Sequence, residues 1–126
     1  MRIELPFMPQ RSSKPRNNGL AMIMDKGLSV REAEDMVSTA GHLIDYVKLG
    51  FGTSLFTNNL EKKIEVYQKN NIRVYLGGTL FEAFVIRNQF DEYRKFISSL
   101  NIDMVEVSDG SMKMDHHLKC GYISKL

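Results

Sequence analysis

Apolar residues in this chain come in short runs separated by polar or glycine breaks, and the runs alternate between two periods. Residues 20–24 are continuously apolar (Leu20, Ala21, Met22, Ile23, Met24) and lie between Gly19 and Gly27. Such a run, too short for a helix, reads as a buried strand. Ser29 then stands three residues before Glu32, the offset of a capping box. Ala33, Met36, Val37 and Ala40 follow at helical spacing, and Gly41 is a natural C′ stop. The alternation continues. Residues 43–49 read as a second strand. Residues 60–70 read as a helix, with Leu60, Ile64 and either Tyr67 or Gln68 at helical spacing and Asn70 and Asn71 ending it. Residues 72–76 are the third strand. Residues 80–100 are helical with a break near Asn88 and Gln89, Asp91 capping the second piece, and Tyr93, Phe96, Ile97 and Leu100 facing a core. Residues 102–107 are the fourth strand. Residues 112–126 start like another loop and helix, but Cys120 and Gly121 argue against a well-formed one.

The order is therefore βαβαβαβ with an incomplete tail. Strand starts recur every roughly 23–30 residues, the length of a β/α unit in an α/β protein with a parallel sheet. No sequence self-similarity accompanies the period, so the chain is not a solenoid of copied repeats. The runs are near-continuously apolar, which predicts burial on both faces of the sheet.

Composition sharpens this picture. The chain has 126 residues, 43% hydrophobic and 25% charged, as in a soluble globular domain. The net charge is only +2, without the clustered basic patch of a nucleic-acid binder. One cysteine, Cys120, excludes an internal disulfide and a Cys-based zinc site, and fits the cytoplasm. The first ten residues carry Arg2 and Glu4 and no apolar segment of the secretory kind. No apolar run approaches the about 18 residues of a membrane span.

Polar chemistry gathers where each strand ends. The first run closes on Asp25, Lys26 and Gly27; the second carries Lys48, then Gly50 and Gly52. The third closes on Gly77, Gly78 and Thr79, with Glu82 three residues on. The fourth carries Glu106, then Ser108, Asp109 and Gly110. In parallel α/β folds the C-terminal strand ends converge on the ligand site. Lys48, inside an apolar strand, either reaches a buried anion or snorkels to solvent. Glu106, between Val105 and Val107, needs a cation, either Lys48 or a metal. Asp25 and Lys26 read as site charges or as a plain turn. Gly77, Gly78 and Thr79 read as a tight turn or as an anion-binding loop at a helix N-terminus. His116 and His117 are adjacent and do not face the same way on a helix, so they are not read as a metal site.

These segments resemble the phosphosulfolactate synthase family. The resemblance rests on Lys14-Pro15-Arg16, Met24-Asp25-Lys26-Gly27-Leu28, the stretch from Ile44 through Lys48 and Gly52 to Ser54, Tyr75 through Gly77 and Gly78 to Glu82, and Val105-Glu106-Val107-Ser108-Asp109-Gly110-Ser111. The resemblance implies the first four strands of a TIM-type (β/α)8 barrel: residues 1–19 a loop segment, residues 20–126 a half-barrel cut short in its fourth helix region. It implies Mg²⁺-dependent addition of sulfite to C3 of phosphoenolpyruvate, giving 2-phospho-3-sulfolactate. Lys48 and Lys26 are then the candidate catalytic cations. Both, with Gly77, Gly78, Thr79 and Ser108, are candidate substrate ligands; Glu106, Asp25 and Asp109 are candidate Mg²⁺ ligands. The family's general acid, a lysine after the fifth strand, is expected beyond residue 126. A complete barrel takes about 250 residues, so this chain alone is expected to be catalytically incomplete. Exposed strand edges predict a homo-oligomer. The alternative is a non-catalytic or regulatory anion-binding protein on the same fold.

Overall fold

The computed structural model describes residue 3 and residues 5–126; Arg2 and Glu4 of the N-terminal reading lie outside the described residues. Three strands, β1 (Met22–Asp25), β2 (Tyr46–Leu49) and β3 (Arg73–Leu76), form a parallel sheet in the order β1-β2-β3. Helix α1 (Val30–Ala40) joins β1 to β2, and α2 (Leu60–Lys69) joins β2 to β3. Then follow α3 (Gly78–Val85), α4 (Phe90–Ser99) and α5 (His116–Ile123). The chain is an α/β protein built of parallel β/α units.

Local chemistry accounts for most of these elements. Ser29 caps α1 through the Glu32 N–H, and the Glu32 carboxylate accepts the Ser29 N–H at 2.8 Å, the reciprocal bonding of a capping box. The helix stops at Gly41 as expected; the glycine is right-handed, at φ −55°, and leads into a 3₁₀ turn. Glycine is needed there for closeness: a Cβ would lie 3.0 Å from Val37 Cγ1. Asp91 does not cap α4. It sits inside the first turn, and the helix begins at Phe90, with Gln89 at the N-cap position after the left-handed Asn88.

Two larger expectations are corrected. Residues 102–107 do not make a fourth strand. A single parallel bridge, Leu76 to Val105, ties them to β3, through the Glu106 N–H to the Leu76 carbonyl at 3.0 Å. The Ser111 N–H then bonds Glu82 of α3, which draws the chain off the sheet before a ladder extends. The tail is better ordered than its composition suggested. Asp115 accepts the N–H groups of His117 and Leu118, and Tyr122 packs 4.6 Å from Phe90 and 5.4 Å from Phe81, ring to ring. Capping and aromatic docking outweigh the helix cost of Gly121, about 1 kcal/mol.

The sheet is covered on one face, not both. Strand register aligns Ile23, Val47 and Val74, and aligns Asp25, Leu49 and Leu76. Side chains alternate along a strand, so these rows share a face. Val47, Val74, Leu49 and Leu76 are buried there with Ala33 of α1 and Leu60, Ile64 and Tyr67 of α2. The opposite face carries the rows Met22, Tyr46, Arg73 and Met24, Lys48, Tyr75. Met22 and Met24 are exposed. The N-terminal loop packs under the sheet's other end. The Arg16 guanidinium bonds Asp45 at 2.7 Å and the His42 carbonyl at 2.6 Å, and Arg11 reaches Asp45 at 3.3 Å.

Candidate functional site

Lys48 lies on the open face, one residue before the end of β2. Its ammonium touches both oxygens of Glu106, at 2.9 Å to Oε1 and 2.6 Å to Oε2. The Gly78 N–H, at the start of α3, donates to the same Oε1 at 3.2 Å. A cation, a carboxylate and a helix N-terminus therefore meet at the C-terminal edge of the sheet. The pair is not sealed: the side chains of Lys48 and Glu106 are 19% and 34% exposed. A solvent-reachable ion pair of this kind can exchange its internal partner for an incoming anion. Tyr75 neighbours Lys48 in register. Burial raises its phenol above the ordinary value, Lys48 pulls it down and Glu106 pushes it up.

Small residues make this approach possible. A Cβ on Gly77 would stand 2.9 Å from Lys48 Cε and 3.1 Å from the Leu49 carbonyl. A Cβ on Gly78 would land on the Ser108 side chain and 3.0 Å from Glu106 Oε1. The Gly77 N–H is already committed, to the Leu49 carbonyl at 3.0 Å. Glu82, buried in α3, accepts the Ser108 hydroxyl on one oxygen and the Ser111 N–H on the other at 2.7 Å. Ser108 thus spends its single proton on Glu82, which leaves the hydroxyl no donor for an anion.

Of the expected site residues, Lys48, Glu106, Gly77, Gly78 and Ser108 are brought together. Lys26 stands at the end of β1 with its ammonium 5.8 Å from the Phe51 ring centroid, a cation–π distance. Thr79 is exposed and lines a 340 Å³ recess with Phe51, Gly52 and Leu80. Asp109 turns to α5, where it pairs with Lys119 at 2.8 Å, which holds its carboxyl below the ordinary value.

Asp25 belongs elsewhere. Strand alternation sends it to the helix-covered face, opposite Lys48, and it is fully buried. Its Oδ1 accepts the N–H groups of Gly27 and Leu28, each at 2.8 Å. Its Oδ2 accepts the Tyr67 hydroxyl at 2.9 Å and faces the Lys63 ammonium at 3.0 Å. Burial alone would raise its pKa, but the Leu28 and Gly27 N–H groups, then Lys63 and Tyr67, outweigh this and hold it below the ordinary value. Both oxygens are engaged, so Asp25 does not fit a metal ligand. Among the described residues no three His, Cys, Asp or Glu side chains converge on a metal position. Among the described residues, Glu106 is the one that offers a partly open carboxylate at the Lys48 contact.

Sequence reasoning placed Glu82 at the third strand end without giving it a role, and it missed Lys63 and Tyr67 as site-linked groups. The signal was present. Lys63 falls in the Leu60, Ile64, Tyr67 stripe of α2, and Glu82 falls between Phe81 and Val85, so each is a lone charge on an apolar helix face.

Fold and site together define a parallel α/β protein with a lysine–carboxylate pair at its strand ends. The family model described as (2R)-phospho-3-sulfolactate synthase (ComA) matches residues 9–126, and the chain belongs to that family. It is 34% identical over 117 residues to the phosphosulfolactate synthase of Bacillus subtilis (strain 168), covering 93% of this chain and 46% of that protein. It is 32% identical over 117 residues to the phosphosulfolactate synthase of Methanothermobacter thermautotrophicus, covering 91% and 45%. It is 41% identical over 95 residues to that of Methanocaldococcus jannaschii, covering 74% and 38%. The chain spans less than half the length of these relatives.

Proposed function

We propose that this chain carries the anion-handling strand ends of a phosphosulfolactate synthase, the N-terminal half of a (β/α)8 barrel that adds sulfite to C3 of phosphoenolpyruvate to give 2-phospho-3-sulfolactate. Family membership supports the reaction. The carrying observation is the contact of Lys48 with Glu106 and the α3 N-terminus on the uncovered face of the sheet. An entering phosphate or carboxylate takes the place of Glu106 at the Lys48 ammonium and the Gly78 N–H. Lys26 adds a second cation at the same edge. Neutralising two anions lets sulfite and phosphoenolpyruvate approach each other. Glu106, once released from Lys48, is the residue of this chain that would hold Mg²⁺, which binds through one or two carboxylates plus waters and substrate oxygens. When bound, Mg²⁺ stabilises the negative charge that builds on the substrate carboxylate. A cytoplasmic homo-oligomer is part of this reading, supported by the single cysteine and the open sheet face.

The test is titration of the chain with phosphoenolpyruvate, followed by NMR. Saturable shifts at the amides of Gly77 and Gly78 are expected. Lys48→Met should weaken binding about tenfold, the loss of one charge-assisted contact. Absence of saturable binding, or equal binding by Lys48→Met, would refute the reading. The non-catalytic alternative is favoured by one observation, the engagement of both Glu106 oxygens by Lys48. It predicts the same binding with no sulfite-dependent product from the complete protein.

A further inference from the structure

Lys63 is a lysine with nowhere to reach solvent: its side chain is 1% exposed. It projects from α2, on the covered side of the sheet, remote from the open face that carries Lys48. Its ammonium makes two contacts, to Asp25 Oδ2 at 3.0 Å and to the Leu28 carbonyl at 2.8 Å. Those two residues bracket Lys26 and Gly27. Tyr67, one turn along α2, donates to the same Asp25 oxygen. The other Asp25 oxygen collects the Gly27 and Leu28 N–H groups. Gly27 adopts φ +112°, a conformation open to glycine and strained for other residues. The short segment from Asp25 to Leu28 is thus gripped at both ends by one buried cation and folded back on one carboxylate. At its strand end the Gly50 N–H also bonds the Asp25 carbonyl at 2.8 Å. Its outward side chain, Lys26, rests over Phe51.

A buried lysine is costly to desolvate, and a surface loop needs no such anchor to close a β/α connection. The expense is accounted for if the loop must hold a shape. We propose that Lys63 and Tyr67 are positioning residues, acting through Asp25 and the Leu28 carbonyl to fix the first strand-end loop so that Lys26 stands at the anion edge. The role of Lys26 there rests on the function proposed above; the positioning does not.

The experiment uses NMR on the full chain, with Lys63→Met and Tyr67→Phe beside the wild type. Phe51 should impart a ring-current shift to the Lys26 Hε protons in the wild type. Both variants should lose that shift, and the Gly27 and Leu28 amides should exchange about tenfold faster, the loss of roughly one net hydrogen bond. The amides of Val47 and Val74 should keep their dispersion, showing an intact sheet. Phosphoenolpyruvate affinity should fall with the Lys26 shift. If Lys63→Met fails to fold, Tyr67→Phe decides, because its ring still fills the core. An unchanged Lys26 shift and unchanged loop exchange in Tyr67→Phe would overturn the proposal. Absence of phosphoenolpyruvate binding in the wild type would instead sink the functional reading, while the loop measurements still test the positioning.

Discussion

At the scale of single residues, the molecule is governed by where its buried charges find partners. Asp25 and Asp45 are both buried, yet both have carboxyl pKa values held below the ordinary 3.8. Burial pushes each upward. Backbone N–H groups, from Leu28 and Gly27 for Asp25 and from Ala21 for Asp45, outweigh it together with Lys63, Tyr67 and Arg16. The sign follows from proton linkage. A carboxyl with a lower pKa folded than unfolded binds fewer protons in the native state, so it stabilises the fold above the unfolded value. That contribution is lost as pH falls below 3.8 toward the folded values. Urea midpoints should hold from about pH 6 to about pH 5 and fall as the pH drops through 3.8 and below, and Asp25→Asn should flatten that fall. A pH-independent midpoint would contradict the assignment. Gly78 gives a steric prediction at the same scale. Alanine there collides with Ser108, so Gly78→Ala should cost about 1–3 kcal/mol, read from urea denaturation. It should also disturb the Lys48–Glu106 contact, read from the Glu106 carboxyl shift in NMR.

Elements owe their ends to local chemistry and their survival to packing. Helix α1 has the clearest local start, with both capping-box bonds made. Ser29→Ala should lower stability by about 1 kcal/mol, measured by thermal or urea unfolding; a change near zero would mean that tertiary contacts alone hold the helix start. Helix α5 shows the converse. Its interior holds Cys120 and Gly121, yet Tyr122 docks on Phe81 and Phe90 and the helix forms. The failed fourth strand belongs here too. Val105 and Val107 have strand character, but the segment meets β3 at one bridge before Glu106 turns to Lys48 and Ser108 to Glu82. Contacts between side chains took precedence over the ladder.

For the whole molecule, the decisive feature is a three-stranded sheet with helices on one face. Met22 is 50% exposed and Met24 38% exposed on the other face. Edge strands with exposed apolar side chains favour association. In line with the homo-oligomer proposed above, light scattering at micromolar concentration should show a species larger than one chain. Met24→Lys should shift it toward the monomer, and a wild-type monomer would count against the proposal. Much of this architecture was legible in the chain. Three β/α units, the Ser29 cap and the break at Asn88 follow from short-range rules that neighbouring residues satisfy by themselves. So did the gathering of Lys48, Glu106 and the paired glycines, because parallel strands share a C-terminal edge. Which face each strand end presents was decided only by tertiary structure. Asp25 and Lys48 look alike in sequence, each a charge near the end of an apolar run. Strand alternation and the pairing register send one into the helix layer and the other to the open face. The buried partners Lys63 and Glu82 likewise depended on helices packing against particular strand ends. Sequence determined the order of elements through local periodicity and capping; only the long-range pairing of strands and helices decided which charges meet.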